Sequence, residues 1–225
     1  LETNVHGSYA SSTIINAHTR RYHGLLVASP DGISQRVLFL SKLEEQVLIG
    51  GDSYYLSCNV YPDKIHPTGF MYLKKLRLDT FPTFLYVLDD IHIEKKIFMV
   101  YDSDTVVVTY SIVQGASEVM LKLRPLIAFR SYHALTKKDE TLRKKYTARD
   151  RTVIVHPFPD VPPLYFAHDG IMIEGTGLWY FNFNYGKEKE RGFDANEDLF
   201  NPFEMTYYLT TDKPVYCVAS LEEIP

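Results

Sequence analysis

We expect an all-β chain folded as one large antiparallel two-sheet sandwich, and three observations predict it. Apolar residues recur at every second position through much of 91–123, short polar turns separate those runs, and 17 Tyr and 13 Phe beside many Val, Ile and Thr favour pleated surfaces over helices. The strand-like runs number on the order of a dozen or more, beyond what an immunoglobulin-like sandwich needs. Two stacked sheets are the natural way to bury so many half-apolar strands. No apolar stripe of helical period is long enough to predict a helix.

In chain order, residues 1–19 are small and polar, with Gly7, Ser8, Ala10, Ser11 and Ser12, and read as an extended segment making close approaches. Arg20-Arg21-Tyr22-His23 then leads into Leu25-Leu26-Val27-Ala28, a short buried strand. Two guanidiniums at the mouth of a strand must each find a carboxylate or water. Gly50-Gly51 supplies the positive φ angles of a tight hairpin turn joining Gln46–Ile49 to Tyr54–Leu56. Residues 59–69, with Pro62, Pro67 and Gly69, read as loop. The runs 91–99, 106–112 and 119–123 alternate most clearly and predict consecutive antiparallel strands, the first pair turning at Asp102-Ser103-Asp104. Residues 137–151 carry seven basic side chains and read as a short helix or an exposed, solvated loop. Pro157, Pro159, Pro162 and Pro163 forbid regular structure. Strand-like pieces return at 164–167, 171–174 and 178–183, and a last pair, 206–211 and 214–220, turns around Thr211-Asp212-Lys213.

The stretch from Trp179 to Glu204 abandons alternation and sets aromatics beside charges of both signs. It holds Trp179, the only tryptophan, then Arg191-Gly192-Phe193-Asp194 and Glu197-Asp198. We read it as a functional loop, against the plainer alternative of a solvated connector. Residues 20–26 and 124–133 break the pattern in the same way. The candidate binding or interdomain residues are therefore Arg20, Arg21, His23, Arg130, His133, Trp179, Arg191, Asp194, Glu197 and Asp198, expected at one edge and cross-paired. Trp179 would be a stacking platform if exposed and core if buried.

A net charge of −4 and a pI near 6.1 give no basic field, so nucleic acid is not an expected partner. No apolar run approaches the ~20 residues that cross a bilayer, so no membrane partner is expected either. The eight histidines are scattered, without cysteine or carboxylate at ligand spacing, which argues against a metal. Gly175-Thr176-Gly177 lacks the third glycine of a dinucleotide fingerprint, and neither a Walker-type lysine loop nor a G-x-S-x-G elbow occurs. Cys58 and Cys217 sit in strand-like runs and read as reduced thiols, with one disulfide as the alternative. With Leu1 first and no apolar leader, we expect a cytoplasmic piece of a longer protein.

Arginines, histidines, carboxylates and aromatics together suit sugars, whose hydroxyls take bidentate partners and whose apolar faces stack on rings. Hydrolysis of a glycosidic bond with inversion needs two carboxyl groups about 6.5–9.5 Å apart, and Asp194, Glu197 and Asp198 are nominal suppliers. Arginine neighbours favour their ionised form, which has no proton to give a leaving group. We read these acids as partners of the arginines, with catalysis as the alternative, and expect Arg191→Ala to weaken the fold or an interdomain contact.

The opening TNVHGSYASSTIINAHTRRYHGLLVA, with RPLIAFRSYHAL, WYFNFNY and ERGFDANEDLFNP further on, resembles the N-terminal domain of bacterial and archaeal glycogen debranching enzymes of the amylo-α-1,6-glucosidase type. Their characteristic phrase is close to TNGLGGYASGT…NTRRYHGLL. The likeness runs in register from residue 2 to about residue 210. It implies a β-supersandwich spanning 1–225 that precedes an (α/α)6-barrel, the partner domain of the same polypeptide. That barrel would supply the acid and base that cleave α-1,6-linked glucose from a glycogen-like α-glucan, with no cofactor. Val5-His6, Ser8 and Phe203 depart from the Gly-Leu, Gly and Gly of the pattern, which puts substrate preference in doubt. Two rival readings are a self-sufficient mutarotase-like enzyme using His23 or His133 with Glu197, and a carbohydrate-binding module built on Trp179.

Overall fold

The computed structural model describes residues 1–30, 32–33, 35–115 and 118–224. Its strands are, in order, β1 (Glu2–Thr3), β2 (Tyr9–Ser11), β3 (Gly24–Ala28), β4 (Val37–Ile49), β5 (Asp52–Tyr55) and β6 (Cys58–Val60). There follow β7 (Ile65–Thr68), β8 (Leu73–Leu78), β9 (Pro82–Leu88), β10 (Ile91–Met99), β11 (Thr105–Gln114) and β12 (Glu118–Ser131). The last six are β13 (Tyr146–Arg149), β14 (Thr152–Val155), β15 (Leu164–His168), β16 (Met172–Asn184), β17 (Asn196–Thr210) and β18 (Val215–Ser220), with a five-residue helix α1 (Gly186–Glu190) between β16 and β17.

They form two antiparallel eight-stranded sheets, ordered β1-β2-β3-β4-β12-β17-β16 with β5 beside β4, and β13-β14-β15-β18-β11-β10-β9-β8. The all-β, two-sheet expectation is met. Alternation dictates the packing: every second residue of a strand faces the opposite sheet. Phe39, Val47, Leu121, Phe203, Met205 and Tyr207 from the first sheet meet Tyr86, Ile93, Val108, Tyr110, Phe166 and Ala219 from the second in one buried cluster. Gly50 and Gly51 take φ values of 57° and 100° in the β4–β5 turn, as the hairpin reading requires.

A second cluster explains the chief error of the sequence reading. Val27, Leu38, Leu126, Ala128, Phe183, Tyr185 and Leu199 form a cluster on the other face of the first sheet, and Val27, Leu38, Leu126, Ala128 and Leu199 each neighbour a residue of the main core in sequence. That outer face is covered by Tyr61, Tyr132, Leu135 and neighbouring loops. Where a sheet is buried on both sides, apolar residues need not alternate, and from Glu197 to Tyr207 every residue of β17 is buried. Register shifts at Gly175/Leu178 and Tyr180/Phe183 break the pattern of β16 as well. The supposed loop of 179–204 is thus mostly two paired strands, and only residues 185–195 connect them. Residues 59–69 also hold more than loop, the small β6–β7 hairpin. Gly69 lets it approach closely, since a Cβ there would fall 2.2 Å from the carbonyl of Leu56. Residues 137–151 contain no helix; they are exposed loop running into the edge strand β13.

Candidate functional site

On the outer face of the first sheet three distant segments, 18–23, 130–138 and 185–198, converge into a polar rim. Their meeting point is Arg130. A register shift in β12 between Ile127 and Arg130, with Phe129 at φ 50°, is a bulge that re-aims the side chain and sets Arg130 opposite Leu38 of the outer cluster. Positive φ on a phenylalanine costs on the order of 1–2 kcal/mol. Packing of its ring against Phe39, centroids 5.2 Å apart, helps hold it there.

The Arg130 guanidinium pairs bidentately with Glu197, through Nε to Oε1 and through Nη2 to Oε2 at 3.0 Å, and Nη2 also donates to the carbonyl of Arg21 at 2.9 Å. Glu197 is fully buried. It accepts further bonds from the Tyr185 hydroxyl and, at 3.0 Å, from the amide of Thr136. Burial opposes the charge on Arg130, but the Glu197 carboxylate outweighs it and holds the guanidinium pKa above its ordinary value. Burial, reinforced by Glu197, pushes the Tyr185 phenol up.

Arg21 is the second anchor. Nε donates to Glu188 of α1 at 3.2 Å, Nη1 to the carbonyl of His133 at 2.7 Å and Nη2 to that of Asp194 at 3.1 Å. One guanidinium thereby ties all three segments. Asp198, expected to pair with an arginine, accepts instead from the amides of Asn182 at 2.9 Å and Lys138 at 3.0 Å. Arg191 is half exposed and reaches Glu188 only at 3.9 Å. It and Arg21 lie over the Phe193 ring at 5.1 and 5.3 Å, so the weight assigned to Arg191 is carried by Arg21 and Arg130. Arg20 is exposed. His133 is exposed too, its Nδ1 3.2 Å from the Tyr22 hydroxyl.

Trp179 does not join the rim. It packs against Phe200 and the inter-sheet core, half-buried, with its indole nitrogen enclosed. A half-buried ring packed on that face is a poor stacking platform, which weakens the module built on it. The mutarotase-like alternative loses its carboxylate, because the oxygens of Glu197 are taken up by Arg130, Tyr185 and Thr136.

Sequence reasoning missed Glu188, Tyr185 and a second buried polar network reaching inward from the rim. Glu45 of β4 receives Lys95 of β10 at 2.5 Å and the Tyr110 hydroxyl of β11 across the inter-sheet space. Lys42 donates to the carbonyls of Cys58 at 2.8 Å and Asn16 at 3.3 Å and to Asn59 Oδ1, and stands 3.5 Å from Glu44. Burial lowers the Lys42 pKa, with Glu44 and Glu45 opposing. The signal was the polar run Ser41-Lys42-Leu43-Glu44-Glu45 inside a strand. Cys58 and Cys217 are both buried, free thiols, and among the described residues no His, Cys, Asp or Glu group has metal-binding geometry.

His18 and His23 pack edge to face, 5.6 Å apart. Burial, then the charge of Arg20, holds His23 down to about 4, and burial with Lys42 lowers His18 further. His23 Nδ1 accepts from the Thr19 amide at 3.2 Å, a bond only the neutral ring can take. Because the unfolded ring titrates near 6.5, the unfolded chain binds the proton first as pH falls. Stability is then complete above about pH 6.5 and declines toward pH 4. Thermal melts should show that decline, flattened in His23→Asn, whose side-chain oxygen can still accept the Thr19 bond. An equal fall in the variant would remove His23 as its source.

The family model described as glycogen debranching enzyme N terminal matches residues 1–216. A bacterial glucoamylase solved with acarbose aligns over 99% of this chain and 35% of its own, at 9% identity and a TM-score of 0.44. Heparan sulfate lyase HepC from Pedobacter heparinus aligns over 66% of this chain and 21% of its own, at 10% identity and a TM-score of 0.38. The chain therefore spans 35% or less of the length of either. No curated protein matches it.

Proposed function

The chain belongs to the family of glycogen debranching enzyme N-terminal domains, and from that premise we propose that it is the non-catalytic supersandwich domain of a glycoside hydrolase acting on α-1,6-linked glucose at branch points. It spans 1–225 as the N-terminal part of a longer chain, and its rim docks the catalytic barrel of the same polypeptide and borders that barrel's cleft on a glycogen-like α-glucan. The observation that supports this most is the state of the rim's acids. Glu188, Glu197 and Asp198 are all buried and bound to arginine, tyrosine or backbone donors, and of the exposed acids Glu190 and Asp194, Glu190 is paired with Lys187 at 2.7 Å. Inverting hydrolysis needs a protonated acid and a base with room for a water between them, and Asp194, the one acid of the described rim left without such a partner, cannot fill both roles. The buried free thiols fit the cytoplasmic setting we assign to it, and no helix of the described residues is long and apolar enough to cross a membrane.

The isolated chain should release no glucose from a limit dextrin and should not speed the interconversion of glucose anomers. Release of glucose by the purified chain would overturn the non-catalytic assignment.

A further inference from the structure

The rim encloses a cavity of about 390 Å³ between the 134–137 turn and the 194–196 segment. That is near the lower end of the roughly 300–1,000 Å³ of small-ligand pockets. Arg21 forms one wall, and since its guanidinium is spent on Glu188, His133 and Asp194, it shapes the cavity without serving a visitor. Three polar groups remain. Lys137 and Asp194 line the same space and form no ion pair within 4.0 Å. Asn196 Oδ1 accepts from Asn184 Nδ2 at 2.7 Å, which leaves its own Nδ2 as a donor. Leu135 and Ala195 add an apolar surface.

A ligand that satisfies this lining must donate to a carboxylate and accept from an ammonium and an amide, while laying an apolar edge on Leu135. Vicinal hydroxyls do this, since each hydroxyl both donates and accepts, and an uncharged ring leaves no net charge to desolvate. We infer that the cavity is a subsite for one neutral pyranose unit of an α-glucan, with Asp194, Asn196 and Lys137 reading its hydroxyls. The choice of glucose as the sugar rests on the function proposed above; the cavity and its donors do not.

Titrating the isotope-labelled 225-residue chain with maltotriose, read by amide NMR, tests this. Saturable shifts should gather at residues 133–137 and 193–197. The double variant Lys137→Met and Asp194→Ala should lower affinity by about tenfold or more while its melting temperature stays unchanged, because neither side chain bears on the fold. Shifts that fail to saturate, fall elsewhere or persist in the variant would overturn the subsite, and so would a stronger response to glycine, whose two charges match Lys137 and Asp194. The outcome is separable from that of the non-catalytic assignment. Saturable binding at the cavity supports the subsite even in a chain found to hydrolyse dextrin, and a silent cavity sinks it even in a chain found inert.

Discussion

Arg130→Ala should lower the unfolding free energy by about 3–5 kcal/mol, the range for removing one partner of a buried ion pair. The side chains of the pair are 6% and 0% exposed, so no water can replace the guanidinium at Glu197. The loss would spread, since Arg130 also holds the backbone of Arg21 and Glu197 holds Tyr185 and Thr136. Arg130→Lys should recover little, because an ammonium cannot span both carboxylate oxygens as the planar fork does. Chemical denaturation of these variants beside Arg191→Ala gives the contrast: the exposed Arg191 pair should be worth under about 1 kcal/mol. An Arg130→Ala protein as stable as Arg191→Ala would refute the role of the buried pair.

The second large effect is expected between the sheets. Lys95→Met leaves the Glu45 carboxylate, 1% exposed, without its direct ion pair, hydrogen-bonded to the Tyr110 hydroxyl and facing the Lys42 charge only at longer range. A loss of about 3–5 kcal/mol follows, on the order of 10 °C in melting temperature for a chain of this size. Adding Glu45→Leu should restore most of it, because a buried pair replaced as a whole by apolar groups is often neutral or stabilising. A double variant no better than the single one would show that Tyr110 or the packing, and not the unpaired charge, carries the cost.

These two sites also show how far the sequence could be read. Arg21, Arg130 and Glu197 stood out because charged residues interrupted otherwise apolar strands, and in the structure they lie on a common rim. Their pairing was not legible. Glu188 lies in the run Lys-Glu-Lys-Glu, which looks like a solvated face, yet it is the buried mate of Arg21. Residues 196–204 of β17 read as loop because a strand covered on both faces carries no period of two, and Trp179, open between platform and core in the sequence, packs beside Phe200 on a strand with two register shifts. The runs of 91–123 alternate plainly, each having one wall in the inter-sheet core, but only 91–99 and 106–112 pair with each other. Residues 119–123 lie in the first sheet beside β4 and β17. The expected last pair, 206–211 and 214–220, is split between the sheets too, because a short polar turn reads the same whether it closes a hairpin or crosses from one sheet to the other.

The position of β18 bears on how the molecule is made. It lies between β15 and β11, joining β13-β14-β15 to β11-β10-β9-β8, yet it is the last strand in the sequence. A ribosome must deliver residues 215–220 before that sheet can close, and until then a nascent chain holds two unjoined fragments with bare edges. Deleting those six residues would therefore split a sheet at its middle.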